Sequence, residues 1–276
     1  MKIAFIGGGN MATALISGLF TSDNGVEKIQ VADPGPEARQ QLEDQWPLTC
    51  FSSAVDAVKD MDMIVLAVKP QILPLVLQEI GGLVKREQVI ISIVAGIPLG
   101  RIAEQLQAAP AIVRTMPNTP ALIGLGITGL YASENCSPRQ RQMAEQLMQA
   151  AGETVWLENE SQLDVVTAVS GSGPAYFFYM IEAMRSAGMR LGLSEEVAGK
   201  LALHTAYGAS AMAIQSDTDV AELRQRVTSK GGTTQAALDQ FEAGGFEGLV
   251  DSAISAATQR GQELAANATQ AKELQI

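Results

Sequence analysis

Cysteine, histidine and clustered positive charge are all scarce in this chain of 276 residues. The two cysteines, Cys50 and Cys136, lie far apart and match no metal-ligand spacing, so they read as free thiols and no metal site is expected. The one histidine, His204, sits inside a helical pattern between Leu203 and Thr205, where a packed or solvated residue is expected rather than a catalytic base. A hydrolytic triad is therefore not available. With 19 Lys and Arg against 30 Asp and Glu, the net charge is -11 and no basic run occurs, which argues against nucleic acid as a partner. An acidic surface still tolerates a local anion site built from backbone N–H groups. No stretch approaches membrane-spanning length, and Met1-Lys2 leads directly into Ile3-Ala4-Phe5-Ile6 without a basic leader or cleavage site. A cytoplasmic protein with no membrane partner is expected.

What the chain does contain is order of two kinds. In the first half, short apolar, β-branched runs alternate with longer amphipathic stretches, the pattern of βαβ units in a parallel sheet. Strands are predicted at Lys2–Ile6, Lys28–Ala32, Leu48–Phe51, Met63–Ala67, Val89–Ile93, Ala111–Thr115, Ile127–Tyr131 and Glu153–Leu157. Helices are predicted near 10–20, 36–45, 53–60, 71–79 and 99–108, and another opens at Ser137-Pro138, where serine can cap and proline suits the first position. After about residue 160 strand-like runs disappear, and Ala, Leu, Met, Gln and Glu recur at helical spacing through residue 270. The fold class expected is α/β: a Rossmann-like doubly wound domain over 1–160, then an all-α domain over 161–276. Tyr176, Tyr179, Met180, Ala183, Met184 and Ala187 fall on one apolar helix face, and small Ala202, Ala206, Ala209 and Ala213 permit close helix approach. Such faces suit either helix packing between subunits or a self-contained bundle, and the first is favoured.

Gly7-Gly8-Gly9-Asn10-Met11-Ala12 follows the first strand and opens the first helix, so Gly7, Gly9 and Ala12 satisfy the dinucleotide fingerprint in its required setting. Gly7 makes the tight turn, Gly9 lets a pyrophosphate approach the backbone, and Ala12 lets the helix sit close to the sheet; the helix tip supplies N–H donors. Asp33 ends the second strand, where a carboxylate would accept from ribose hydroxyls and favour NAD(H). Equally, Asp33-Pro34 could simply turn the chain and leave Arg39 or backbone groups to meet a phosphate. Ala67-Val68-Lys69-Pro70 lies at the carboxyl edge of the sheet, where Lys69 would face an anion or only solvent.

Three further motifs narrow the reading: Arg114-Thr115-Met116-Pro117-Asn118-Thr119-Pro120, the run from Asp164 through Thr167 and Ser170-Gly171-Ser172-Gly173-Pro174 to Tyr176, and Thr228-Ser229-Lys230-Gly231-Gly232-Thr233-Thr234. The last is a small-residue loop at a helix start, whose hydroxyls and N–H groups suit a carboxylate. Together with the glycine turn and Ala67-Val68-Lys69-Pro70, these stretches resemble the signatures of the pyrroline-5-carboxylate reductase family from Met1 to about Glu263. The resemblance implies NAD(P)H-dependent reduction of 1-pyrroline-5-carboxylate to proline, the last step of proline biosynthesis. NADP(H) is the expected cofactor and NAD(H) the alternative. It implies cofactor contacts among Gly7, Gly9, Asn10, Met11, Ala12, Asp33, Ala67, Val68, Lys69, Pro70 and Asn118. Substrate contacts are implied at Ser229, Gly231, Gly232, Thr233 and Thr234, with Thr234 nearest the ring nitrogen and Thr167 near the nicotinamide, so these two threonines are the catalytic candidates. A homodimer, and a decamer of five dimers, is the assembly implied.

Two positions depart from the family pattern. Lys230 stands where many members have proline, and Ala54 where many have an asparagine that reaches the cofactor, a contact alanine cannot make. A β-hydroxyacid dehydrogenase or another imine reductase would want a lysine on the long helix after Gly173-Pro174, which here offers Tyr176, Tyr179 and Glu182 instead. A binding protein without turnover is the alternative of another class, and the hydroxyl-rich loop speaks against it.

Overall fold

The computed structural model describes residues 1–21 and 25–270. By mutual contact the chain divides into two units, Met1–Gly171 together with the chain from Ala257 onward, and Ser172–Ala256.

In the first unit eight strands form one sheet: β1 (Lys2–Ile6), β2 (Lys28–Ala32), β3 (Thr49–Phe51), β4 (Met63–Leu66), β5 (Val89–Ser92), β6 (Ala111–Met116), β7 (Gly126–Ala132) and β8 (Gly152–Trp156). Their order across the sheet is β3-β2-β1-β4-β5-β6-β7-β8. Neighbours are parallel except β6 and β7, which run antiparallel with Thr115 opposite Leu130. Between them lie α1 (Asn10–Thr21), α2 (Pro36–Gln45), α3 (Ala54–Ala57), α4 (Leu73–Ile80), α5 (Leu99–Ala103) and α6 (Pro138–Gln149), and α7 (Gln162–Val166) follows β8.

Alternation along the central strands builds two apolar layers. Ile3, Phe5, Met63, Val65, Val89 and Ile91 face α1 and α6 on one side. Ala4, Ile6, Ile64, Leu66, Ile90 and Ile112 face α3, α4 and α5 on the other. A parallel strand covered on both faces favours apolar residues at successive positions, which is why these segments read as apolar runs. Both thiols stay free; burial, ahead of the neighbouring charges, pushes that of Cys50 up to about 11.

The eight predicted strands all form, with no end shifted by more than one residue. Two helices are shorter than expected. The helix predicted near 53–60 stops at Ala57, and Asp60 follows with a left-handed φ of 57°. The one predicted over 99–108 stops at Ala103, where the chain tightens into three-residue turns from Ile102 to Gln105 and from Ala103 to Leu106.

The second unit is helical, with α8 (Gly173–Arg190), α9 (Glu195–Gln215), α10 (Val220–Arg226) and α11 (Thr233–Ala243); α12 (Phe246–Gln270) begins in it. By mutual contact α7 and the turn after it go with the sheet, on which they pack: a Cβ on Gly129 of β7 would lie 2.9 Å from Val166. Residues 271–276 of the expected second domain lie outside the described residues. The unit has almost no core of its own. Only Gly173 is buried on α8, only Ala198 and Ala202 on α9, and none on α10 or α11. The predicted α8 face is open, with Tyr179 74% and Met184 43% exposed; Phe178 beside it, Tyr207 on α9 and Leu249 on α12 are exposed too. Among the described residues no helix is long and apolar enough to cross a membrane.

Candidate functional site

The sheet order reverses between β1 and β4, and crevices that bind ligands open at such a switch point beyond the strand carboxyl ends. The glycine turn sits there. Gly7 has a φ of 105°, and a Cβ on it would lie 2.5 Å from the Ala67 carbonyl oxygen at the end of β4. Only glycine meets both demands, so Gly7 is required by the fold itself. Gly9 differs, because a Cβ there would meet nothing within 4 Å. The protein has no packing use for glycine at this exposed position; the ground above it is open for a ligand that approaches the backbone closely. Asn10 and Met11 start α1 beside that ground, and Ala12, 1% exposed, belongs to the layer between α1 and the sheet. These residues fit a dinucleotide pyrophosphate: open backbone, a helix tip, and no side chain in the way.

Asp33 follows β2 and is bound into this turn. Its Oδ2 accepts from the Gly8 N–H at 2.9 Å and its Oδ1 from the Gly35 N–H at 2.8 Å. Arg39 Nη1 donates to the carbonyl oxygens of Asp33 at 2.7 Å and Pro34 at 2.9 Å. Lys69 is exposed after β4, with Val68 against Gly7, and its carbonyl anchors the turn into α4 through the Ile72 and Leu73 N–H groups. Among the described residues its ammonium has no ion-pair partner.

Asn118, 9% exposed, uses both ends of its amide: Oδ1 accepts from the Ile127 N–H at 3.0 Å and Nδ2 donates to the Ser170 carbonyl at 3.2 Å. It thereby ties the end of β6 to β7 and to the π-helical turn Thr167–Gly171. Within that turn the Thr167 hydroxyl donates to the Leu163 carbonyl at 2.8 Å and Ser170 Oγ to the Val166 carbonyl at 3.0 Å. Wide turns of this kind gather at functional sites. No residue pattern read from the sequence pointed to this wide turn.

Beneath the turn, Arg114 of β6 pairs with Glu160, whose Oε1 also accepts from the Leu99 N–H at 2.6 Å. Asp164 stands beside this pair. Burial raises its pKa above the carboxylate range, Arg114 opposes this, and Glu160 adds to it. A carboxylate with a raised folded pKa contributes stability below its unfolded pKa and loses it as pH rises through the folded value. Asp164→Asn is therefore expected to melt above the wild type at about pH 7, and the difference to close at about pH 3, where both side chains are neutral. Thermal melts at the two pH values measure this; equal melting temperatures at neutral pH would contradict it.

In the second unit Ser229, Lys230, Gly231 and Gly232 form a tight turn closed by the Gly232 N–H on the Ser229 carbonyl at 3.0 Å. Gly231 has a φ of 72°, which favours glycine, and a Cβ on Gly232 would crowd Ser229 Oγ at 2.3 Å. Gly232 leads into α11 without a side-chain cap, whereas Ser137, Ser194 and Asp219 cap α6, α9 and α10. Among the described residues the hydroxyls of Ser229, Thr233 and Thr234 have no hydrogen-bond partner. Unclaimed N–H groups and hydroxyls at one helix tip form a ready seat for a carboxylate. His204 is exposed on α9.

The switch-point turn and the doubly covered sheet define a class, an NAD(P)-dependent oxidoreductase with a Rossmann-type domain. Residues 2–96 match the family described as "NADP oxidoreductase coenzyme F420-dependent", and residues 160–264 match "Pyrroline-5-carboxylate reductase dimerisation". The pyrroline-5-carboxylate reductase of Pseudomonas aeruginosa is 49% identical over 264 residues, covering 96% of this chain and 97% of that protein. A solved pyrroline-5-carboxylate reductase from Coxiella burnetii is 37% identical with a TM-score of 0.91, covering 95% of this chain and 97% of that one. The pyrroline carboxylate reductase of Plasmodium falciparum, solved with NADP bound, is 30% identical with a TM-score of 0.83, covering 96% and 98%. The chain belongs to the pyrroline-5-carboxylate reductase family.

Proposed function

We propose that the chain reduces the ring imine of 1-pyrroline-5-carboxylate to L-proline with a hydride from NADPH, as the last step of proline biosynthesis in the cytoplasm. The observation that carries the substrate assignment is the tip of α11, uncapped and lined by the free hydroxyls of Ser229, Thr233 and Thr234. A carboxylate seated there would accept from the first N–H groups of α11, and the helix dipole favours its charge. The bound dinucleotide supplies the hydride. Everything else asked of the protein is orientation, because a protonated cyclic imine is already an electrophile. Hydride adds to the ring carbon of the C=N bond, the π electrons move to nitrogen, and a neutral secondary amine results. Thr234 relays a hydrogen bond at that nitrogen, its Oγ accepting from the protonated imine N–H and its O–H donating once hydride addition has left a lone pair there, and Thr167 lies beside the nicotinamide. The Asn118 amide acts by holding the turn that carries Thr167. Adding 1-pyrroline-5-carboxylate to protein and NADPH should start oxidation, seen as loss of the reduced-nicotinamide absorbance. Dinucleotide binding without any oxidation would reject the enzyme in favour of a sensor.

The assembly follows from the missing core of the second unit. A helical unit that leaves Tyr179, Phe178 and Tyr207 open gains its core from a second copy, so the working form is a homodimer; the decamer of five dimers rests on the family resemblance alone. Part of each active site then comes from the partner subunit. Light scattering after size exclusion should give an even multiple of the chain mass, and a stable, active monomer would contradict the dimer.

A further inference from the structure

We propose that Asp33 serves the dinucleotide as a positioning residue for the glycine turn rather than as its ribose ligand, and that Arg39 selects the phosphorylated form. The proposal rests on the dinucleotide reading given above and deepens it. An acidic residue at the end of the second strand ordinarily presents its carboxylate to the adenosine ribose and repels a 2′-phosphate. Here each carboxylate oxygen is drawn instead onto a backbone donor. Oδ2 takes the Gly8 N–H in the middle of the glycine turn, and Oδ1 takes the Gly35 N–H ahead of α2. Two N–H groups aimed at one carboxylate offset much of its charge, and they clasp the turn after β1 to the turn after β2. The fit is close: a Cβ on Gly8 would lie 2.9 Å from Leu42 Cδ1 and 3.4 Å from Asp33 Oδ2.

Arg39 supplies the opposite charge in the same turn. Its Nη1 rests on the carbonyl oxygens of Asp33 and Pro34, which fixes the guanidinium beside the end of β2. A guanidinium carries five N–H donors, and the remaining ones have no partner among the described residues. Glu43, one helical turn further along α2, would be the natural ion-pair partner, yet its Oε1 accepts from the Cys50 N–H at 2.8 Å. A cation left without a carboxylate in a chain of net charge -11, at the strand end that meets the ribose, suits a phosphate group on that ribose. Asp33 with its charge satisfied inward does not stand in the way.

Equilibrium binding of NADPH and NADH to the full chain, read by reduced-nicotinamide fluorescence without imine acid, separates these roles. Asp33→Asn is expected to weaken both dinucleotides by a common factor of about 10, leaving their affinity ratio within about threefold of the wild type. Arg39→Gln is expected to move that ratio toward NADH by about tenfold or more. Should Asp33→Asn not fold, Asp33→Ser, which keeps one acceptor for the turn, has the same pair of outcomes. An Asp33 variant that tightens NADPH while loosening NADH would make Asp33 the ribose ligand and overturn the proposal, as would an unchanged ratio in Arg39→Gln. A wild type that binds neither dinucleotide would overturn the functional reading as well, whereas binding with the wrong ratios sinks this proposal alone.

Discussion

Thr234→Ala is expected to lower kcat by about 10²-fold while the dissociation constant of NADPH stays within about twofold. The hydroxyl has no hydrogen-bond partner among the described residues, and α11 begins from Gly232 without a side-chain cap. Removing it therefore breaks nothing that holds the helix, and alanine is the better helix former. Folding and catalysis separate cleanly at this position: the melting temperature should hold or rise while turnover falls. Thr234→Ser, which returns the hydroxyl, should recover most of the loss. Steady-state kinetics alongside thermal melts decide the matter, and an unchanged kcat in Thr234→Ala would remove the residue from the reaction.

The second large effect is a contrast between two glycines two positions apart. Gly7→Ala places a Cβ 2.5 Å from the Ala67 carbonyl oxygen and 2.9 Å from its carbon, at a φ of 105°. Neither backbone can yield without moving β1 or β4, so a loss of about 3 kcal/mol or more is expected, enough to unfold much of the protein. In Gly9→Ala the new methyl meets nothing. That variant should melt within about 2 °C of the wild type yet bind NADPH about tenfold or more weakly, because the methyl occupies the ground a pyrophosphate needs. Melting curves and dinucleotide titrations of both variants test this. A Gly9→Ala protein with full affinity would show that the open ground is not the phosphate site.

The sheet was legible for a physical reason. Strands covered on both faces favour apolar residues at successive positions, so segments such as Met63–Leu66 and Val89–Ile91 stand out without periodicity. Strand direction was less accessible. The short 3₁₀ turn over Thr119–Ile123 returns β7 antiparallel to β6, and nothing in the residues of β7 distinguishes that from a parallel neighbour. Helix ends were less legible: α3 stops at Ala57, and Asp60 beyond it takes a positive φ, a region aspartate enters more readily than most residues.

The glycine turn was legible because its demands are steric: Gly7 sits against the Ala67 carbonyl and Ala12 is buried between helix and sheet. Hydrogen bonds between distant segments were not. That Asp33 would grip Gly8, or Asn118 would join Ile127 to Ser170, depends on directions of side chains that only the fold sets. The apolar face of α8 was visible at its i, i+3, i+4 spacing, but spacing alone does not say whose core the face joins. Exposure of Tyr179 and Phe178 in the single chain points to a second copy.

The most direct test is a crystal structure of the protein with oxidised NADP and proline bound together. Hydride transfer requires the ring carbon next to nitrogen to lie about 3.5 Å from nicotinamide C4, with the proline carboxylate on the first N–H groups of α11 and Thr234 at the ring nitrogen. A complex in which residues 228–234 point away from the nicotinamide, with proline held elsewhere, would contradict the account.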